Sequence, residues 1–253
     1  MSEPGFKDHF SPVSGNYSRY RPSYPPELIQ YVASCAPDRR LAVDCATGSG
    51  QAAVALAEHF DSVLAVDGSA AQLENAQPHP RVRYERAIAE SLPVADHSVS
   101  LVAVAQAVHW FDFDRFYAEC RRVLVPGGVV AAWTYQVFRA GTAVDAVVDR
   151  FYHGTIAPYW PPERRYVAEA YRTLPFPWAE ETPPQFRLQT EWSLEQVLGY
   201  FATWSSVQGY KDAHAGADPL PALHAELATV WPVAATLRLT WPVYLRIGRA
   251  DLL

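Results

Sequence analysis

The chain has 253 residues, 49% of them hydrophobic, which suffices for one sizeable core and is read here as one domain carrying an insertion. A formal charge of -6 supplies no basic footprint for nucleic acid. Cys35, Cys45 and Cys120 are too scattered for a disulfide framework or a C-x-x-C metal site, and no signal-like N-terminus or apolar run of about 18 residues occurs. A cytoplasmic protein with no nucleic acid, membrane or metal partner is therefore expected.

After Pro25 and Pro26, the positions Leu28, Ile29, Val32 and Cys35 predict a helix. Strands are expected at 41–45 and 62–66, with an Ala-rich helix at 51–60 between them. Ser69 with Gln72 forms a candidate capping box for a short helix that Pro78 and Pro80 close. Further strands are expected at 82–85, 98–105 and 129–133. Between the last two, Phe113, Phe116, Tyr117, Cys120 and Leu124 predict a helix ending before the turn PGG. Alternation of this kind implies βαβ units in an α/β fold with a doubly wound parallel sheet, whose ligand sits beyond the strand C-termini.

Past residue 137 the pattern changes. Val144, Val147, Val148, Phe151 and Tyr152 predict one amphipathic helix, and Tyr166, Val167, Ala170, Tyr171 and Leu174 another. The tracts IAPYWPPE and TLPFPWAEETPP are too apolar for a linker, so 137–184 is read as a helical, aromatic and Pro-rich cap insertion on a core spanning 1–136. Residues 185–253 then return the chain to the core sheet, with a strand at 185–190, a helix at 193–204 and a last strand at 243–248.

The stretch LAVDCATGSGQAAVAL (41–56) ends a strand in an acid and a Gly-rich turn. Gly48, Gly50 and Ala53 fit G-x-G-x-x-A, which keeps a nicotinamide-dependent oxidoreductase open. Asp44 extends the pattern to D-x-A-x-G-x-G. An acid there repels a pyrophosphate and attracts an ammonium, while the following helix N-terminus receives a carboxylate. S-adenosylmethionine (SAM) has both groups and no phosphate. Asp67 ends the next strand, where a carboxylate accepts from both ribose hydroxyls. The structural alternative is a tight strand-to-helix turn without a ligand. Only Lys7 and Lys211 occur, so neither a phosphate-binding lysine loop nor a Tyr-x-x-x-Lys dehydrogenase pair is present.

These residues, with FSPVSGNYSRYRPSYP (10–25), VLAVDGSAAQL (63–73), IAESLPVADHSVSLVAVAQAVHWFD (88–112) and RVLVPGGVVAAWTY (122–135), resemble class I SAM-dependent methyltransferases. Within that class they are similar to the type 11 methyltransferase domain and its trans-aconitate methyltransferase-like branch. The resemblance implies a Rossmann-like, mostly parallel sheet with an antiparallel last strand. It places the methionine end of SAM over Ala46, Thr47, Gly48 and Gly50, the ribose on Asp67 and the adenine near Gly68 and Ala89-Glu90. Gln106 and Ala107 would pass under the sulfonium. In this pattern Ala46 replaces a usual glycine, Ile88 a frequent acid and Ser100 a common aspartate.

Methyl transfer from a sulfonium needs positioning and exclusion of water, and needs a base only when the nucleophile is protonated. His109 is the candidate catalytic residue, as donor to a carboxylate or as base toward a hydroxyl; a packed histidine is the alternative. Trp110 is a candidate pocket wall and Phe111 a wall or core residue. Tyr17, Tyr20, Arg21 and Tyr24 would form a lid, with Tyr17 and Arg21 at the cofactor and Arg21 pairing with its carboxylate; packing of this segment on the sheet is the alternative. Arg164-Arg165, with Arg139 and Arg150, would either gather an anion or form solvated faces. Tyr159, Trp160, Tyr166, Tyr171, Phe176 and Trp178 lie among seven prolines between 156 and 184, and with Trp204 facing them they would roof an enclosed small-molecule pocket or pack as core. The expected activity is SAM-dependent methylation of a small molecule, on oxygen and of a carboxylate. SAM binding without turnover and the nicotinamide enzyme are the alternatives.

Overall fold

The computed structural model describes residues 20–250, so Tyr17 and the other residues before Tyr20 lie outside the described residues. Helix α1 (Pro26–Cys35) starts with proline, whose missing N–H is harmless in a first turn, and buries Leu28, Ile29, Val32, Ala33 and Cys35. Strands β1 (Leu41–Cys45), β2 (Ser62–Asp67), β3 (Val82–Arg86), β4 (Val99–Ala105) and β5 (Leu124–Tyr135) pair in parallel, in the order β3-β2-β1-β4-β5. Helices α2 (Gln51–Ala57), α3 (Ala70–Glu74) and α4 (Phe113–Val123) alternate with them. The chain then builds α5 (Thr142–Arg150), which runs on as a π-turn at Phe151–Thr155, and α6 (Arg164–Ala168). After β6 (Phe186–Trp192) come α7 (Leu194–Ala202), α8 (Ser205–Ala213) and α9 (Leu220–Val230). Strand β7 (Leu237–Arg249) lies antiparallel between β5 and β6 and completes a seven-stranded sheet.

This is the doubly wound, Rossmann-like sheet with an antiparallel last strand that the sequence predicts. Successive side chains of its strands enter opposite cores. Ala42, Ala103 and Ala131 face the core shared with α1, α2, α5 and α7, while Val43, Val102, Val104 and Val130 face the core of α4 with Val167, Tyr171, Leu174 and Trp178. Both faces of β1 and β4 are thus covered, which is why they read as continuous apolar runs.

Several local expectations are corrected. The Ala-rich helix stops at Ala57. The helix expected over 166–174 ends at Ala168, because Ala170 and Tyr171 adopt left-handed φ values of 57° and 59°. PGG is a bulge inside β5: Leu124 pairs with Val99 and Val129 with Leu101, and Gly127 turns the excess chain at φ 74°. Ser69 caps α3 through its own oxygen, while the reciprocal capping box forms at Ser193 and Gln196 on α7. Ser100 donates its hydroxyl to Asp38, a bond that an aspartate in its place would lack the proton to make.

The segment from Tyr171 to Glu180 is tied down by β7. Arg246 Nη1 donates to the carbonyl oxygens of Tyr171 at 2.7 Å and Leu174 at 2.8 Å, and the same guanidinium pairs with Glu180. Trp178 meets Tyr117 of α4 edge-on at 4.9 Å. Among the described residues no helix is long and apolar enough to cross a membrane.

Candidate active site

Strand β1 delivers the chain into a turn in which Ala46, Gly48 and Gly50 take φ values of 54°, 56° and 83°. Three left-handed residues in five redirect the strand into α2, and glycine is the residue that takes this conformation without cost. At Gly50 the demand is compounded: a Cβ would sit 2.2 Å from the Tyr84 hydroxyl, which donates to the Gln77 carbonyl at 2.5 Å. Ala46 keeps its Cβ in the same region, which loads the turn with strain.

The two acids hold this turn from different sides. Asp67 Oδ2 accepts from Gly48 N–H and Oδ1 from Ser69 N–H, both at 2.9 Å. Asp44 is fully buried; Oδ2 accepts from the Thr47 hydroxyl at 2.6 Å, and Oδ1 has no partner. Burial raises the Asp44 carboxyl to about 7, the Thr47 hydroxyl and the Ala53 amide oppose this, and Asp67 adds to the rise. An unpaired acceptor oxygen beneath the turn and a second carboxylate beside it fit an ammonium- and hydroxyl-bearing ligand and disfavour a pyrophosphate. Beside the turn, the Gly68 carbonyl accepts from Arg86 Nε at 3.2 Å, Ala89 is buried, and Glu90 Oε1 accepts from Asp112 N–H at 3.0 Å.

Strand β4 is followed directly by Gln106 at φ 60°. Its Oε1 accepts from Thr134 Oγ1 at 2.6 Å and its Nε2 donates to the Tyr135 carbonyl at 3.2 Å, so the amide orientation is set. Ala107 then caps the 3-10 turn Val108–Trp110, which presents His109 and Trp110. His109 is 5% exposed, with Nδ1 2.8 Å from the Tyr171 hydroxyl. Burial, reinforced by the charge of Arg164, pushes the imidazole down to about 3, so it is neutral at physiological pH.

Gln106, His109, Trp110, Trp160, Arg164 and Trp204 line a cavity of about 60 Å³. The Arg164 guanidinium lies 4.7 Å from the Trp160 ring centroid. Arg164 Nε and Trp160 Nε1, both donors without acceptor capacity, are buried there with no hydrogen-bond partner. Arg21 also reaches the cavity, donating to the Tyr135 hydroxyl at 3.3 Å and stacking over Tyr200 at 5.3 Å.

The structure therefore brings Arg21, Gln106, His109, Trp110 and Trp204 to one cavity and gathers Asp44, Ala46, Thr47, Gly48, Gly50, Asp67, Gly68, Ala89 and Glu90 at the C-terminal edge of β1 to β3. It divides the arginines. Arg164 joins the cavity, whereas Arg139 pairs with Asp149, Arg150 pairs with Glu226, and Arg165 stacks on Tyr166 at the surface. Phe111 packs on Phe116 at 5.0 Å, as core. Tyr24 packs edge-on to Trp133 at 5.6 Å, so this part of the expected lid is bedded on the sheet. Trp204 is both wall and core: it lines the cavity and contacts Tyr152, Trp160, Tyr200 and Phe201. The pairing of Tyr171 with His109 carries no local signal, since 62 residues separate the two, and the Trp160 and Arg164 donors meet Gln106 and His109 only through the fold.

Residues 43–132 match the family described as "Methyltransferase domain". A Dictyostelium discoideum protein named as a methyltransferase is 32% identical over 254 residues, covering 97% of this chain and 96% of that protein. The chain belongs to the SAM-dependent methyltransferases. A solved Anaeromyxobacter dehalogenans structure, described as a type II methyltransferase, is 47% identical, with a TM-score of 0.84 over 90% of this chain and 97% of that one. A Bacillus halodurans structure at 19% identity and TM-score 0.50 shares the fold alone. SAM is accordingly the cofactor of this methyltransferase, and the nicotinamide reading of the glycine spacing is set aside.

Proposed function

We propose that this methyltransferase transfers the methyl group of SAM to a carboxylate oxygen of a small molecule, as the resemblance to the trans-aconitate methyltransferase-like branch also suggests. The observation that carries the proposal is the pair of orphaned donors, Arg164 Nε and Trp160 Nε1, in a cavity that opens beside Gln106. Donor-only atoms left unpaired in a buried site are satisfied by an oxyanion. A carboxylate also needs no deprotonation, which suits a site whose histidine holds a proton weakly.

SAM is assigned to the Ala46, Thr47, Gly48 and Gly50 turn, with its ribose on Asp67, its adenine by Gly68, Ala89 and Glu90, and its methionine carboxylate toward Arg21. Bound there, it supplies an electrophilic methyl on a sulfonium. The chain's own tasks are to hold the acceptor with Arg164 and Trp160, to keep Gln106 and Ala107 in place under the reacting groups, and to exclude water with Trp110 and Trp204. His109 is proposed to touch the acceptor as well.

The test is a panel of small carboxylic acids, matched alcohols and amines with isotopically labelled SAM. Carboxylates should yield alkali-labile methyl esters, and Arg164→Ala should raise the acceptor KM about tenfold or more with SAM affinity unchanged. Equal labelling of the alcohols together with an unaltered KM in Arg164→Ala would overturn the proposal.

A further inference from the structure

We infer that Tyr171 is a positioning residue that fixes His109 as its Nε2–H tautomer and so aims a third hydrogen-bond donor into the acceptor cavity. The inference rests on the carboxylate reading above for its purpose, but not for its evidence.

Proton inventory in a buried network carries it. Gln106 Nε2 donates to the Tyr135 carbonyl, which turns Oε1 toward Thr134, and the Thr134 hydroxyl spends its hydrogen there at 2.6 Å. Tyr171 is wholly buried, so its own O–H must find an acceptor within the protein. His109 Nδ1 stands 2.8 Å from that hydroxyl; the Thr134 hydroxyl also interacts with the phenol, and we assign the donated hydrogen to the imidazole nitrogen, the partner at hydrogen-bonding distance. An imidazole that accepts at Nδ1 carries its proton at Nε2. Nδ1 being engaged, Nε2 is the nitrogen left for the cavity that His109 lines. Burial favours the uncharged form of both partners, lowering His109 and raising Tyr171, so the phenol keeps the hydrogen it donates.

The backbone around Tyr171 shows why this contact is built rather than incidental. Ala170 and Tyr171 are two consecutive non-glycine residues at left-handed φ, 57° and 59°. Such a pair costs free energy and persists when its surroundings over-determine it. Here the surroundings are Arg246, which grips the Tyr171 and Leu174 carbonyls from β7, and the bond from Tyr171 N–H to the Tyr166 carbonyl at 2.7 Å. If the helix ran on past Ala168, Tyr171 would follow the helical path and leave this position over His109. The strained turn exchanges helix continuity for the placement of one hydroxyl.

The experiment records long-range ¹H–¹⁵N spectra of the histidine rings of the full chain without acceptor, with His109 assigned by the signals lost in His109→Gln. Nε2 should be protonated and Nδ1 should be of the unprotonated type. In Tyr171→Phe the preference should disappear or reverse, and the acceptor KM should rise about tenfold with SAM affinity unchanged. His109→Gln, which can place an amide N–H near the same point, should retain more activity than His109→Phe. A wild-type spectrum with Nδ1 protonated overturns the inference without needing any variant to fold. So does a tautomer and KM indifferent to Tyr171→Phe. Because the spectra need no acceptor, a failed carboxylate panel with the expected tautomer removes the acceptor assignment alone. Carboxylate methylation with the opposite tautomer removes the role of Tyr171 alone.

Discussion

Replacing Ala46 by glycine should stabilise the protein, because the residue sits at φ 54° with a Cβ that this conformation disfavours. The left-handed conformation costs an L-residue about 1–2 kcal/mol, and glycine is free of that cost. Against this, glycine widens the unfolded ensemble by about 0.4–1 kcal/mol. The net expectation is a gain of about 0.5–1 kcal/mol, which for a chain of this length raises Tm by roughly 1–4 °C. Ala55→Gly is the control: the residue lies within α2, where the same substitution should lose about 1 kcal/mol. Urea unfolding of both variants measures the two signs, and calorimetry measures SAM affinity, which should be unchanged or tighter in Ala46→Gly. A loss of stability in Ala46→Gly, or a tenfold loss of SAM affinity with the fold intact by circular dichroism, would refute the argument that the Ala46 methyl group only burdens the turn.

Three further outcomes follow from the same geometry. Asp44 has a folded pKa of about 7, above the unfolded value of 3.8; its stabilising contribution is complete below about pH 4 and declines as pH rises through 7, so Asp44→Asn should gain on wild type by up to about 4 kcal/mol between pH 4 and 8, read from urea midpoints. Gly50→Ala should destabilise through the Tyr84 clash and its φ of 83°, and Gly50→Ala with Tyr84→Phe should recover part of the loss in a double-mutant cycle; strict additivity would place the cost elsewhere. Trp204→Ala should lose roughly 3–5 kcal/mol by chemical denaturation, because the ring packs against four aromatic neighbours as well as lining the cavity; a loss below about 1 kcal/mol would restrict it to the wall.

Much of the fold was legible because parallel strands covered on both faces are short apolar runs, and each of those runs ends in a chemically distinct residue. Asp44, Asp67 and Gln106 stand at or just past the C-terminal ends of β1, β2 and β4 and mark that edge of the sheet without any knowledge of packing. Helix α9 also carries a readable signal, since Leu220, Leu223 and Leu227 recur at helical spacing. Helix α8 does not: SSVQGYKDA holds too few apolar residues, and its helicity comes from packing beneath the cap. The turn at Ala170 and Tyr171 ran against local propensity, for Tyr166, Val167, Tyr171 and Leu174 suit a continued helix, and it is Arg246, some 75 residues away, that holds the carbonyls in the broken form. Likewise nothing in the neighbouring pair Arg164 and Arg165 distinguishes the guanidinium at the cavity from the surface one. That difference arises where Trp160 and Trp204 meet, 5.5 Å apart.

The place of β7 in the sheet has a consequence for the order in which the molecule can be assembled. During synthesis β5 is complete more than a hundred residues before residues 243–249, its antiparallel partners, leave the ribosome. Until then β5 is an open edge of unpaired amides and carbonyls, and β6 has no neighbour at all, because β7 is the strand that bridges them. The nascent five-stranded half can therefore form early, while the cap turn waits for Arg246 and its strand. Long-range closure of this kind slows folding and exposes the intermediate to aggregation, so the step that seals the sheet is also the step that completes the roof of the cavity.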